Sequence, residues 1–274
     1  MMPDPLAAHY ARTDDLASAV GRRLIEAGKT LGELTTADLA PVDEFHIRGR
    51  EATLELARYM NLTPLSHVLD LGSGLGGPAR TVAETYGCRV TGVDLTPAFR
   101  DAATVFSEWV GLADRVRFEV GDATDLAFAD ATFDAVMTLH TAMNIEAKDR
   151  LYAEAARVLR PGGMLGIYDV LQGEGGEPAW PVPWATGRAQ SHLATPERMV
   201  ALLEGAGFQI VGCEDSTERG DAFFRTLNER LARSGPPPIG FHMVLGDAFR
   251  IMAANLGRNL AERRVRVVRY LCRI

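Results

Sequence analysis

The run HVLDLGSGLGGPA at 67–79 constrains this chain more than any other part of it. Five residues that read as a buried strand stop at Gly72. A loop with glycines at 72, 74 and 77 comes next, and after it a helix. Glycines at that spacing let a backbone turn tightly and come close to a ligand, so the fold must place a strand end, a turn and a helix start around one point. The next segments repeat the unit. CRVTGVD (88–94) leads to a helix from Pro97 to about Gly111. RVRFEVGD (115–122) and FDAVMTLH (133–140) are two further strands, DRLYAEAARVLR (149–160) is a helix, and Pro161-Gly162-Gly163 breaks it before the strand MLGIYDV. Strands and helices alternating in this way, with near-continuous apolar strands, predict a doubly wound α/β fold whose parallel sheet is covered on both faces.

Outside this core, 14–29 carries Leu16, Val20, Leu24 and Ile25 on one helical stripe, and 49–61 reads as a second helix. The tail adds a helix at 196–205, a strand at 207–214, helical stretches near 220–233 and 246–260, and a last strand RVRVVRYLC (264–272). Alternating charge along that strand predicts a half-exposed antiparallel edge. The expectation is one domain over 1–274: a helical cap (1–62), a ligand-binding core (63–215), and a helical insertion with a closing strand (216–274).

Lys and Arg number 29 against 36 Asp and Glu, a net charge of -7, which opposes a phosphate-neutralising surface and excludes nucleic acid as the expected partner. No apolar run approaches a membrane span, and the N-terminus reads as no targeting signal. Cys88, Cys213 and Cys272 form no CxxC pair and read as reduced and buried, so the chain is expected in the cytoplasm. The histidines and carboxylates lack metal-ligand spacing, so no metal is expected. The sequence fits a monomer or a homodimer alike.

Sheets of this kind bind ligands beyond the carboxyl ends of their strands. Three aspartates stand there: Asp70 before the first glycine, Asp94 about twenty residues beyond the loop, and Asp122 after the third strand. Glycine spacing and Asp94 alone would suit a dinucleotide, with Asp94 on ribose hydroxyls. Asp70 changes the balance, because a carboxylate at the sheet's exit repels a pyrophosphate and attracts an ammonium or sulfonium. Asp122 and the Ala123 backbone suit an adenine edge.

With these residues in order, the chain resembles the class I S-adenosylmethionine-dependent methyltransferases. VLDLGSGLGG, VTGVDL, RFEVGDATDLAFADATFDAV and RVLRPGGMLGIYD look like the successive family motifs. FHIRGREAT, GSGLGGPAR, LHTAMNI and VPWA are similar to the group related to ubiquinone-biosynthesis and sarcosine/dimethylglycine methyltransferases. That group often shows HIGG where this chain has His46-Ile47-Arg48-Gly49. The resemblance implies a seven-stranded sheet of order 3-2-1-4-5-7-6 with the last strand antiparallel. It implies S-adenosyl-L-methionine as cofactor, S-adenosyl-L-homocysteine as product and a small-molecule acceptor. Carried over residue by residue, it puts Asp70, Gly72, Ser73, Gly74 and Gly76 at the methionine end, Asp94 and Leu95 at the ribose, Asp122 and Ala123 at adenine, and His140 beside sulfur and acceptor.

Methyl transfer is an in-line displacement, so an enzyme aligns the partners and excludes water. An amine acceptor needs no base, whereas a hydroxyl or carbon acid does, and His140 is the candidate by position. Tyr168 and Asp169 after the fifth strand are further candidates. Trp180 and Trp184 could cage a methylated ammonium, and Arg188 could pair with a carboxylate. Tyr168, Trp184 and Arg188 are thus the expected acceptor contacts, with amine nitrogen, hydroxyl oxygen and activated carbon all open. The rivals are an NAD-type oxidoreductase using the same loop and a non-catalytic S-adenosylmethionine-binding protein. The basic tail residues Arg258, Arg263, Arg264, Arg266 and Arg269 read as a surface face.

Overall fold

A computed structural model describes residues 15–235 and 237–274, without the side chain of residue 232. The first fourteen residues, where the expected cap and the first helix begin, and Pro236 of the GPPP segment lie outside the described residues. Seven strands form one sheet in the order β3-β2-β1-β4-β5-β7-β6. They are β1 His67–Leu71, β2 Arg89–Asp94, β3 Val116–Val120, β4 Phe133–Leu139, β5 Leu159–Gln172, β6 Gln209–Asp215 and β7 Val265–Arg273. β1 to β5 are parallel, and β7 runs antiparallel to both β5 and β6.

This order corrects the reading of β7 as an edge. It lies between β5 and β6, and the edges are β3 and β6. The charges along it belong to lateral ion pairs: Arg266 meets Glu174 at 3.0 Å and Asp215 at 3.4 Å, and Arg269 pairs with Glu214. Its apolar residues Val265, Val267 and Val268 are buried. The other three basic residues of the tail are paired too, Arg258 and Arg264 with Glu262 and Arg263 with Glu218. The edge position of β6 also exposes Cys213, expected to be buried; Cys88 and Cys272 are buried, and all three are free thiols.

Ten helices accompany the sheet among the described residues: α1 Leu16–Glu26, α2 Thr36–Asp43, α3 Arg50–Arg58, α4 Gly77–Tyr86, α5 Pro97–Trp109, α6 Lys148–Val158, α7 Pro196–Gly205, α8 Thr217–Ser234, α9 His242–Leu245 and α10 Phe249–Ala261. α4 opens on Gly77-Pro78 and is stopped by left-handed Gly87, whose N–H returns to Ala83 O. α6 passes directly into β5, and Pro161-Gly162-Gly163 falls where the β4–β5 register shifts, inside the strand and not in a loop before it.

α2 escapes the pattern reading because it is short and contains Pro41. Its start is fixed by a capping box, in which the Thr35 side chain accepts from Asp38 N–H and the Asp38 carboxylate accepts from Thr35 N–H. α1 lays Leu16, Val20 and Leu24 against Phe99 and Phe106 of α5, with Leu39 and Val42 of α2 in the same cluster. That packing holds the end of α2 over the carboxyl ends of β1 and β2.

Candidate active site

The glycine loop is clasped to the end of β2. Gly72 and Ser73 N–H both donate to Val93 O, at 2.8 and 3.0 Å. Asp94 completes the clasp: Oδ2 accepts from Gly74 N–H at 2.8 Å and Oδ1 from Thr96 N–H at 2.9 Å. Burial raises its carboxyl while those two bonds oppose the shift. Two glycines show why the loop needs them. Gly72 has φ +74 and a Cβ there would sit 2.2 Å from Thr141 Oγ1; Gly74 has φ +51 and a Cβ there would meet no protein atom, because it opens into the cavity.

That cavity has a volume of about 440 Å³, within the range of small-ligand sites. Its walls include Ser73, Gly74, Leu95, Ala123 and His140, and four carboxylates: Asp43, Asp94, Asp122 and Glu146. Among the described residues no Lys or Arg lines it. Asp122 Oδ1 accepts from both the backbone and the hydroxyl of Thr124, each at 2.8 Å, which fixes its turn at the rim.

Under the loop lies a buried acidic network. Asp43 Oδ2 accepts from Arg80 at 2.7 Å, and Glu44 accepts from Thr53 and Thr81 hydroxyls at 2.7 and 2.6 Å. Asp43 Oδ1 and Asp70 Oδ2 are buried without a hydrogen-bond partner among the described residues. Burial pushes Asp43 up to about 6 against the pull of Arg80. It pushes Asp70 up to about 8, with the charges of Glu44 and Asp94 adding to the shift. A positive ligand group at Asp43 would satisfy an orphaned oxygen and relieve that crowding; a phosphate would do neither.

At the far end His140 closes β4. Its backbone is left-handed, φ +52, and held by its N–H to Tyr168 O at 2.8 Å. Such strain is common where a structure over-determines a functional residue. The imidazole stacks on Tyr168 with centroids 5.4 Å apart, and His46 meets it edge-on at 5.9 Å. His140 Nε2 is buried and has no partner among the described residues, and burial next to His46 holds its pKa well below the ordinary value, so the ring is neutral at pH 7. His46 Nε2 lies 2.9 Å from Gly49 O and must donate to it, leaving the lone pair on Nδ1; burial brings this ring down to about 4. Beyond the two histidines lies a second, apolar chamber of about 70 Å³, which shares Phe45, His46 and His140 with the first cavity.

The structure brings together Gly72, Ser73, Gly74, Asp94, Leu95, Asp122, Ala123 and His140 on one cavity. Four expected residues line neither cavity: Asp70, Gly76, Tyr168 and Arg188. Asp70 lies beneath the loop and does not reach the cavity wall, where Asp43 supplies the carboxylate instead. Gly76 faces the core, since a Cβ there would strike Phe118 and Arg80. Arg188 is 80% exposed and pairs with Glu177 at 3.5 Å, because the loop turns Ala189, Gln190 and His192 inward in its place.

Tyr168 stands behind His140, its hydroxyl buried and pushed up to about 12 by that burial. Asp169, the next residue of β5, is also buried, and that burial pushes it up to about 7 against the opposing charge of Lys148. Trp184 lines the chamber and is held by its Nε1–H to Ser191 Oγ at 2.9 Å, while Trp180 lines neither cavity. Arg48, the departure from HIGG, turns to Glu51 and Glu55 at 2.6 and 2.8 Å and leaves the cavity to Phe45 and His46. Asp43 escapes the sequence pattern, standing at the end of a short, proline-containing helix, and His46 is legible only as part of the FHIRGREAT motif, without a role.

Comparison with known proteins agrees with this geometry. Residues 69–167 match a family described as a methyltransferase domain. Methyltransferase GfsG of Streptomyces halstedii is 31% identical over 188 residues, 66% of each chain. Sterol 24-C-methyltransferase ERG6B of Gibberella zeae is 36% identical over 116 residues, which is 42% of this chain and 30% of that one. The chain thus spans about a third to two thirds of the length of these curated relatives. Among solved structures, the [4+2]-cyclase SpnF superposes with a TM-score of 0.70 at 25% identity, covering 99% of this chain and 98% of that one.

Proposed function

The chain belongs to the class I S-adenosylmethionine-dependent methyltransferases, and from that premise we propose that it transfers a methyl group from S-adenosylmethionine to a small-molecule acceptor at His140. One observation carries the reading: a 440 Å³ cavity at the glycine loop presents four carboxylates and, among the described residues, no cationic side chain. A dinucleotide would bring its diphosphate against like charge, whereas a nucleoside bearing an ammonium and a sulfonium meets complementary charge. We assign Gly72, Ser73, Gly74 and Asp43 to the methionine end, Asp94 and Leu95 to the ribose, and Asp122 and Ala123 to adenine.

When bound, the cofactor would supply an electrophilic methyl carbon: the acceptor's electron pair would form the new bond to it as the carbon–sulfur bond breaks, and neutral S-adenosylhomocysteine would leave. The protein's part is alignment, exclusion of water and, for a hydroxyl or carbon acid, removal of a proton. His140 can accept that proton, because it is neutral at pH 7 and its buried Nε2 has no partner among the described residues. Tyr168 stacks against the ring and holds its plane. The cap and the closing segment are parts of one working domain on this reading, because Phe45 and His46 from the first and helices α8 and α10 from the second meet at the site. Three free cysteines suit a cytoplasmic setting.

The test is calorimetry with S-adenosylhomocysteine and with NAD, followed by transfer of labelled methyl from S-adenosylmethionine into a panel of small molecules. Micromolar binding of S-adenosylhomocysteine without NAD binding is expected, and the reverse would overturn the reading. A second reading rests on the likeness to the cyclase, which extends over nearly all of both chains. On that reading the cofactor is bound and never consumed while a substrate in the chamber cyclises, and an absence of labelled product from every acceptor would favour it.

A further inference from the structure

Resting on the reading that the larger cavity holds S-adenosylmethionine, we infer that the chamber beyond His46 and His140 receives the body of the acceptor and selects an uncharged, apolar molecule. Its walls come from the cap, the Pro183-Trp184 loop and the closing helices. Phe45, Trp184, Phe223, Phe224, Phe241 and Phe249 supply aromatic surface. Phe223, Phe224 and Leu227 fall on one face of α8, and Phe249, Ala253 and Leu256 fall at helical spacing on α10, so two stripes from separate helices close on the same space.

The polar side chains in this wall are the two histidines at its mouth, both neutral at pH 7, and Trp184, whose N–H is already given to Ser191. A carboxylate or phosphate placed here would lose its water and, among the described residues, find no cation in the wall. The two arginines that sequence or position would suggest are committed elsewhere, Arg48 to Glu51 and Glu55 and Arg188 to Glu177 at the surface. Desolvating an unpaired charge costs several kcal/mol, whereas an apolar group gains by burial. The chamber therefore rejects amino-acid amines such as sarcosine and phosphorylated amines such as phosphoethanolamine. It shares His46 and His140 with the cofactor cavity, so an acceptor seated in it presents its polar end at that neck.

The experiment titrates 1-naphthol, sarcosine and phosphoethanolamine into the full-length protein saturated with S-adenosylhomocysteine, by calorimetry and by tryptophan fluorescence. The expected result is 1-naphthol binding at least about tenfold tighter than the two charged probes, on the strength of desolvation alone. Ala253→Phe, which fills the chamber, and Phe224→Glu, which charges it, should each weaken naphthol at least about tenfold and change S-adenosylhomocysteine affinity less than about twofold. Preference for either charged probe, or naphthol affinity that survives both substitutions, overturns the inference while the cofactor reading stands. Loss of S-adenosylhomocysteine binding in both variants also overturns it, since the chamber would then not be separable from the cofactor cavity. No S-adenosylhomocysteine binding by the unaltered protein removes the cofactor reading, and this inference with it.

Discussion

The two cavities that meet at His46 and His140 are built in opposite ways. The larger is made from strand ends: Gly72 to Gly74 after β1, Asp94 at the end of β2, Asp122 after β3 and His140 after β4. The smaller is made from side chains on the cap, a proline-rich loop and two helices of the connection between β6 and β7. The first is polar, acidic and held by backbone hydrogen bonds; the second is aromatic and held by packing. A sheet fixes where strand ends lie, so the fold constrains the polar half of the site. Nothing in the sheet dictates the apolar half, which is free to differ in shape and chemistry.

If this division is right, the residue on the border should separate turnover from binding. His140→Asn keeps a side chain that tolerates the left-handed backbone and removes the imidazole. For a hydroxyl or carbon acceptor, kcat should fall by about 10²- to 10⁴-fold, the usual contribution of a positioned base. Affinity for S-adenosylhomocysteine should stay within about twofold. Comparable losses in both measurements would make His140 a wall of the polar half. An unchanged kcat would point to an acceptor that needs no base.

Asp94→Ala tests the polar half itself. It removes two backbone hydrogen bonds that clasp the loop and the proposed contacts to ribose, so S-adenosylhomocysteine should bind about 1.5–3 kcal/mol more weakly. The apolar half should not respond, and naphthol fluorescence titrated at saturating S-adenosylhomocysteine is the check. A coupled loss would mean that the halves are not independent.

The same contrast explains how much of each half is legible in the amino-acid sequence. Gly72, Gly74, Asp94 and Asp122 can be read because their positions relative to strands are set by local pattern, and β1, with four of its five residues buried, ends where its glycine stands. The sheet order came from the family resemblance, whereas the charge pattern of β7 misleads: Arg266 and Arg269 reach sideways to acids on neighbouring segments, a long-range match that periodicity does not contain. Asp43 and His46 depend on how α2 packs against α4, and the chamber depends on α8 meeting α10. Asp70 is expected at the cavity because strand position tells which end of the sheet a residue occupies. It does not tell whether the loop above covers it.

The acidic network gives a smaller, pH-dependent effect confined to the polar half. Asp43 is pushed up to about 6 in the free protein, so part of the population is protonated below neutrality. A bound ammonium favours the ionised form, so binding releases protons and affinity must rise with pH. For one group ionising from a pKa near 6 to well below 5, S-adenosylhomocysteine affinity should rise about fourfold between pH 5.5 and 7.5. Asp70, pushed up to about 8, would extend the rise above neutrality if it also ionises. Calorimetry in buffers of different ionisation enthalpy measures the released protons, and naphthol binding to the saturated complex should show no such slope. Affinity that falls with rising pH would remove Asp43 from the ammonium end.

The smallest expected effect bears on the apolar half. Arg188 is the residue that the sequence offers as an acceptor anchor, and in the structure it sits on the surface with Glu177 at 3.5 Å. Exposed pairs of this kind contribute about 0–1 kcal/mol, so Arg188→Ala should leave the melting temperature within about a degree or two and cofactor affinity unchanged. The informative quantity is acceptor binding. With an apolar chamber and an outward Arg188, naphthol affinity should not move, and sarcosine should bind as weakly to the variant as to the parent. A fall in affinity for carboxylate-bearing probes, with naphthol unaffected, would show that the 180–192 loop swings inward when an acceptor arrives. The site would then have a cationic wall, and the contrast between a charged half and an apolar half would hold only for the protein without its acceptor.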